Sequence, residues 1–215
     1  MKTILFILLS VLLIAGVVVF FLPSAAAEAQ PDKDLKTALS EHKILVVYYS
    51  RTGSNYVSGN IVNLPVGNTA AVAEIIREKT GADVFEIKTV KPYPEDYHET
   101  TDVAQAELKR NARPEIVGGV ENLAQYDTII LGYPNWWGTM PMAVFTFLEK
   151  HDLSGKVILP FCTHEGSGLG RSVKDLKKAL PQADVRRGLA IKGSRVYKKE
   201  PSISREVESW LTDNL

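Results

Sequence analysis

Two short segments rich in hydroxyl side chains could together bind a phosphate group. The segment 50–53 (SRTG) follows an apolar run, and residues 68–69 (NT) open a stretch with a helical pattern. A helix N-terminus attracts anions through its free N–H groups, hydroxyls add donors, and glycine permits close backbone approach. We expect Asn68 to be the helix cap. Two interpretations fit: a phosphate-binding loop interrupted by residues 54–67, or an ordinary strand-to-helix turn that contains Ser, Thr and Gly. The candidate ligands are Ser50, Thr52, Gly53, Asn68 and Thr69.

A second loop, residues 132–141 (GYPNWWGTMP), carries two adjacent tryptophans. Exposing both rings is costly because each has a large apolar area. Either both rings fill the core beneath the loop, or one packs inward while the other offers a flat face. We favour the second interpretation, in which the exposed face stacks on a planar, electron-poor ring system. The candidate residues are Pro134, Asn135, Trp136, Trp137, Gly138 and Thr139.

A third loop, residues 162–172 (CTHEGSGLGRS), combines glycines with hydroxyl side chains, and its amides and carbonyls could line a heterocycle. The stretch GSGLG departs from G-x-G-x-x-G, so a dinucleotide fingerprint is unsupported. No Gly-Lys-Ser/Thr follows the first strand, which excludes an ATP-type loop. His164 could act as a base, but we favour the interpretation that it is an ordinary loop histidine near solvent. The candidate residues are Thr163, His164, Gly166, Ser167 and Gly168.

Five apolar runs alternate with five helical patterns, and these elements must position the three loops. Strands are predicted at residues 43–49, 83–90, 128–133, 156–163 and 183–192, with 83–90 near a sheet edge. Helices are predicted at residues 68–79, 95–111, 141–150, 169–180 and 201–211. This alternation predicts an α/β fold with a doubly wound, five-stranded parallel sheet. Such sheets bind ligands beyond the carboxyl ends of the strands, where the three loops lie.

Charge and cysteine content argue against several classes of protein. The chain has 25 basic and 25 acidic residues, so no basic excess supports nucleic-acid binding through phosphate neutralisation. Its only cysteine, Cys162, excludes an intrachain disulfide and a multi-cysteine metal site. We expect Cys162 to be a small buried strand residue rather than a nucleophile, and we predict no metal site.

The N-terminus is organised like an export signal. Lys2 precedes an uncharged apolar stretch at residues 4–22, and small residues follow it near position 26. The stretch is long for a signal peptide and long enough to span a bilayer, so residues 1–29 are predicted to be a signal peptide or a membrane anchor. In either case we expect the folded part to be secreted, periplasmic or anchored facing outward. Residues 30–42 are predicted to be a linker or an irregular arm.

The three loops, taken in order, resemble those of the flavodoxin family. The segments SRTG and NT, then YPNWWGTMP, then CTHEGSG, occur on the alternating pattern over residues 43–215. This resemblance implies a flavodoxin-like domain with strand order 2-1-3-4-5 and a non-covalent FMN cofactor. It places the phosphate at Ser50, Thr52, Asn68 and Thr69, and the isoalloxazine ring between the loops 134–139 and 163–168. Residues 54–67 then form an insertion that we expect to fold over a surface, covering part of the flavin or contacting a partner.

The resemblance implies a redox protein that passes electrons through FMN to a partner protein or to a small acceptor such as a quinone. Many flavodoxins are strongly acidic, whereas residues 30–215 are balanced, because Lys2 and Glu28 are the charged residues before them. The missing acidity favours a reductase of small acceptors over an electron shuttle. Two alternatives remain: a binding module on this scaffold that holds a different phosphorylated or aromatic ligand, and a purely structural envelope protein.

Overall fold

The computed structural model describes residues 31–215. The predicted signal peptide or anchor at residues 1–29, with its apolar stretch at 4–22, lies outside these residues. Across the described part of the chain, no helix has the length and apolar character needed to cross a bilayer.

Strands and helices alternate along the described residues much as predicted. The strands are β1 (Ile44–Tyr48), β2 (Gly53–Val57), β3 (Asn60–Leu64), β4 (Asp83–Glu86), β5 (Thr128–Pro134), β6 (Val157–His164), β7 (Asp184–Val185) and β8 (Leu189–Lys192). The helices are α1 (Pro31–Glu41), α2 (Asn68–Thr80), α3 (Tyr97–Lys109), α4 (Met142–Lys150), α5 (Ser172–Ala179), α6 (Gly193–Tyr197) and α7 (Ser202–Thr212).

The main sheet is parallel and has the order β4-β1-β5-β6-β7, with β8 also paired to β6. The predicted order 2-1-3-4-5 is therefore confirmed, with β4 at the edge where residues 83–90 were expected. The fifth predicted strand, residues 183–192, is divided into β7 and β8. Between them the Arg187 carbonyl accepts a hydrogen bond from Trp210 Nε1 at 2.8 Å, so the backbone there bonds to α7.

Both faces of this sheet are covered by helices. Successive side chains of a strand point to opposite faces, so each strand contributes to two buried clusters. On one face, Val46 of β1 packs in a buried cluster with residues of α2, α6 and α7. On the other face, Leu45 and Val47 pack in a second buried cluster with residues of α4 and α5. Burial on both faces explains why the central strands are continuous apolar runs.

Residues 31–41 form helix α1, whereas a linker or an irregular arm was predicted there. Leu35 is buried in the cluster that α7 joins, and Leu39 packs against the same cluster one helical turn later. Two leucines at this spacing lie on one face of a helix, and that face packs on α7. This short amphipathic signal is easily missed within a polar sequence.

The expected insertion is a β-hairpin. Strands β2 and β3 pair antiparallel with Val57 opposite Asn60. Ser58 and Gly59 form the turn with positive φ values of 48° and 92°, as two-residue hairpin turns require. The hairpin contacts α3 and α6, and the Tyr56 ring stacks on Tyr97 of α3 at a centroid distance of 6.1 Å. The insertion therefore folds over a surface, as expected.

Candidate functional site

The N-terminus of α2 lies directly against the end of β1. Gly67, not Asn68, is the N-cap residue, so the predicted capping role of Asn68 was wrong. A β-carbon on Gly67 would overlap the Ser50 hydroxyl and the Arg51 carbonyl, so glycine is needed for this close approach. Ser50 Oγ accepts a hydrogen bond from the Ala70 N–H at 3.1 Å.

This arrangement leaves donors at the end of the helix. The first four N–H groups of a helix have no partner within it. Here the Ala70 N–H donates to Ser50 Oγ, and the Ala71 N–H donates to the Gly67 carbonyl at 3.0 Å. The N–H groups of Asn68 and Thr69 remain at the positive end of the helix dipole, where an anion would be stabilised.

Two neighbouring cavities open at the carboxyl ends of the strands, beside this helix end. The first has a volume of about 130 Å³ and the second of about 360 Å³. They share five lining residues: Arg51, Asn55, Tyr97, Asn135 and Trp136. The switch point of the sheet, between β1 and β5, is therefore concave, as the strand order predicts.

The structure brings residues from all three predicted loops to the first cavity. Those that line it are Ser50, Asn68, Thr69, Pro134, Asn135, Trp136, Thr163 and His164. Trp137 lines the second cavity instead. Thr69 and Thr163 also join two of the loops directly, because their hydroxyls are hydrogen-bonded at 2.8 Å.

Other predicted residues lie outside these two linings. Thr52 and Gly53 line a third cavity of about 870 Å³, together with residues that follow β4, such as Lys88 and Thr89. It adjoins the first cavity, because Ser50 and Arg51 line both. Strand β2 begins already at Gly53, which has a positive φ of 78° and leads directly into the insertion. The remaining predicted residues outside both linings are Gly138, Thr139, Gly166, Ser167 and Gly168.

The two tryptophans point apart, as expected. The half-buried Trp136 ring makes edge contacts with Tyr49 and Tyr93, at centroid distances of 5.5 Å and 5.0 Å. Trp137 has a positive φ of 53°, and its side chain is turned toward α3, where Nε1 donates to the Thr101 carbonyl at 3.0 Å. Trp137 is 48% exposed and offers an open ring face.

Asn135 and Thr139 hold the tryptophan loop in place. Asn135 donates from its backbone to the Thr163 carbonyl at 2.8 Å and from Nδ2 to the Gly168 carbonyl at 2.9 Å. Its Oδ1 accepts from the Gly138 N–H at 2.9 Å. Buried Thr139 donates to Asp175 Oδ2 of α5 at 2.6 Å. Gly138, Thr139 and Gly168 therefore serve as the scaffold of the loop.

His164 ends β6 and is half-buried rather than fully solvent-facing. Its Nδ1 accepts a hydrogen bond from the Gly166 N–H at 3.0 Å, so the neutral ring carries its proton on Nε2. Burial lowers the pKa of His164 below its ordinary value, which keeps the ring neutral at neutral pH. A neutral imidazole at the cavity wall presents an N–H donor without a positive charge.

Arg51 is the first of several site residues that the sequence interpretation missed. Its guanidinium donates to the carbonyls of Pro94 and Glu95, at 2.7 and 2.6 Å, and to the Ser54 carbonyl. These bonds join the first loop, the hairpin and the segment before α3. Burial lowers the pKa of Arg51 from its ordinary value.

Three further lining residues were also missed: Tyr97 of α3, Glu165 after β6, and Gly193 of α6. Asn55 and Tyr56 of the hairpin line the cavity too, and they belong to the insertion that was expected to cover part of the flavin or contact a partner. The exposed apolar content of the insertion hinted at Tyr56, whereas Gly193 had no local signal. Glu165 lies in the third loop, but only its neighbours on either side were named as candidate residues.

Comparison with known proteins agrees with this architecture. A family model described as flavodoxin matches residues 43–211. A protein assigned to the flavoproteins from Bacteroides eggerthii is 30% identical with a TM-score of 0.59, over 76% of this chain and 98% of that one. A similarly assigned protein from Bacteroides uniformis is 26% identical with a TM-score of 0.60, over 79% and 97%.

The flavoprotein of Lactobacillus acidophilus, solved in complex with FMN, is 24% identical with a TM-score of 0.55, over 73% of this chain and 97% of that one. None of the curated proteins matches the chain significantly. The family model spans most of the chain and begins at the strand that carries the first loop. The chain therefore belongs to the flavodoxin family.

Proposed function

We propose that this chain is an FMN-binding redox protein that passes electrons to a small planar acceptor such as a quinone. One observation carries the proposal: the cavity joins an anion-binding helix N-terminus to an aromatic loop. The flavodoxin family, and the FMN complex of the Lactobacillus acidophilus flavoprotein, support FMN as the cofactor.

The residues present fit FMN. The N–H groups of Asn68 and Thr69 and the Ser50 hydroxyl would hold the phosphate, because hydrogen bonds to a charged group are each worth about 1.5–3 kcal/mol. Trp136 and Asn135 would face the ring, and aromatic contact adds about 0.5–1.5 kcal/mol beyond burial. When bound, FMN supplies reversible electron transfer. The chain orients it, and the Tyr56–Tyr97 pair lies at the edge of the cavity, where it restricts water.

The second cavity is suited to a small acceptor. This cavity is lined by Tyr97, Ala104 and the exposed face of Trp137, all suited to a flat apolar ring. It shares Trp136 with the first cavity, so an acceptor there would lie next to the ring of FMN. The balanced charge of the chain also provides no field to steer a basic redox partner.

We place this activity outside the cytoplasm. The support comes from the sequence: Lys2, the uncharged stretch at residues 4–22 and the small residues that follow it. If residues 4–22 remain as an anchor, the domain works at a membrane surface, where quinones are concentrated. Detection of the mature N-terminus in membrane and soluble fractions distinguishes a retained anchor from a cleaved signal.

Turnover assays separate a reductase from a carrier. The FMN-loaded protein is mixed with reduced nicotinamide and a soluble quinone, and nicotinamide oxidation is followed by absorbance. Sustained oxidation by the purified protein alone identifies a reductase, and a matched Trp137→Ala variant should show a raised KM for the quinone. Reduction only after an added flavoprotein reductase identifies a carrier. A protein that never retains FMN refutes the redox proposal and supports a module for a different ligand.

A further inference from the structure

Glu165 has a buried oxygen with no partner at the wall of the first cavity. Within residues 31–215, Oε1 is shielded from solvent and accepts no hydrogen bond. The other oxygen, Oε2, accepts only a long hydrogen bond of 3.3 Å, from the Ser58 N–H in the hairpin turn. A buried acceptor without a donor is costly, so a donor from a ligand would stabilise this arrangement.

The position of Glu165 Oε1 in the cavity limits which chemical groups could donate a hydrogen bond to it. A β-carbon on Gly193 would lie 2.8 Å from Glu165 Oε1 and 2.5 Å from Asn68 Nδ2. The two polar groups therefore converge above Gly193, next to the helix end that is suited to phosphate. A carboxylate repels phosphate oxygens, so the phosphate of FMN cannot be its partner, and the donor that FMN can supply close to the phosphate is a neutral hydroxyl.

We propose that Glu165 Oε1 accepts a hydrogen bond from a hydroxyl of the ribityl chain of FMN. The assignment rests on the proposed FMN site and adds a binding residue to it. The ribityl chain joins the phosphate to the ring, and its hydroxyls are the neutral donors next to the phosphate. Through the Ser58 bond to Oε2, the same carboxylate connects the bound polyol to the turn of the hairpin.

The proposal is tested by comparing three flavins on the full-length chain: FMN, riboflavin and lumiflavin. Riboflavin lacks the phosphate, and lumiflavin lacks the whole ribityl chain. The variants are Glu165→Ala and a control, Glu121→Ala, whose exposed carboxylate lies in the turn before β5. Dissociation constants are measured by flavin fluorescence, and the unfolding midpoint of each variant is recorded without ligand.

Glu165→Ala should weaken riboflavin binding by about tenfold to a hundredfold, the value of a hydrogen bond to a charged group. FMN should lose less, because removal of the carboxylate also removes repulsion of the phosphate. Lumiflavin binding and the unfolding midpoint should not fall, and Glu121→Ala should behave as wild type. Unchanged riboflavin binding overturns the proposal, and so does an equal loss for lumiflavin. A wild-type chain that binds no flavin overturns the proposed function itself.

Discussion

Adding one methyl group at Gly193 should damage the cofactor site while leaving the fold intact. In Gly193→Ala, the new β-carbon would lie 2.5 Å from Asn68 Nδ2 and 2.8 Å from Glu165 Oε1. Both atoms are ends of flexible side chains, so they can move without displacement of the backbone. The displaced groups are the two that converge beside the N-terminus of α2.

The expected magnitudes differ between folding and binding. Gly193 is the first residue of helix α6, so alanine there should gain less than the about 0.5–1 kcal/mol typical of a helix interior, and folding stability should stay close to that of the wild type. Misplacing a polar group that bonds the ligand costs about 1–3 kcal/mol, so FMN affinity should fall by about fivefold to 150-fold. FMN affinity is measured by titration and the free energy of unfolding by denaturant.

The control is Gly119→Ala, in the loop before β5 and thus at the opposite end of the strands. Its β-carbon would lie 3.1 Å from His151 Nε2, again against a side chain. This variant should bind FMN as wild type does. Wild-type FMN affinity in Gly193→Ala would refute the placement of Asn68 and Glu165 at the ligand. An equal loss of folding stability would show that Gly193 is needed for packing instead.

Two further variants test other parts of the site. Ser50→Ala should weaken FMN binding more than Thr52→Ala, because Ser50 lines the first cavity as well as the third, whereas Thr52 lines the third but not the first; titration that gives the reverse order would contradict this ranking of the two hydroxyls. His164→Asn should remove a pH dependence, because asparagine Oδ1 can replace Nδ1 as the acceptor for the Gly166 N–H. The depressed pKa of His164 means that its stabilisation is present above the ordinary value of 6.5 and is lost as pH falls through the folded value. Denaturation of wild type and variant at descending pH should therefore diverge below 6.5, and parallel profiles would contradict this reasoning.

The sheet was predictable because its strands are buried on both faces and therefore appear as apolar runs. Residues 128–133 and 156–163 form β5 and β6 with only small changes at their ends. The opposed directions of Trp136 and Trp137 agree with the interpretation favoured from sequence, because adjacent residues usually point apart. Helix α1 did not follow, because its apolar face amounts to Leu35 and Leu39 within polar residues.

The parts of the site that sequence did not reveal depend on contacts between distant segments. Arg51 acts through carbonyls of residues 94 and 95, far along the chain. Gly67 and Gly193 matter because of what lies against them rather than because of a local turn. Glu165 is distinguished by a missing partner, and no pattern of residue types predicts the absence of a hydrogen bond.

Quenching of tryptophan fluorescence by FMN tests the central claim most directly. Of the three tryptophans, Trp136 and Trp137 line the two cavities, whereas Trp210 is buried with α7 on one face of the sheet. We predict saturable quenching at one FMN per chain, most of which disappears in the Trp136→Phe, Trp137→Phe double variant, where Trp210 alone emits. Absence of quenching in the wild type, or quenching that persists undiminished in the double variant, would contradict an FMN site between these loops.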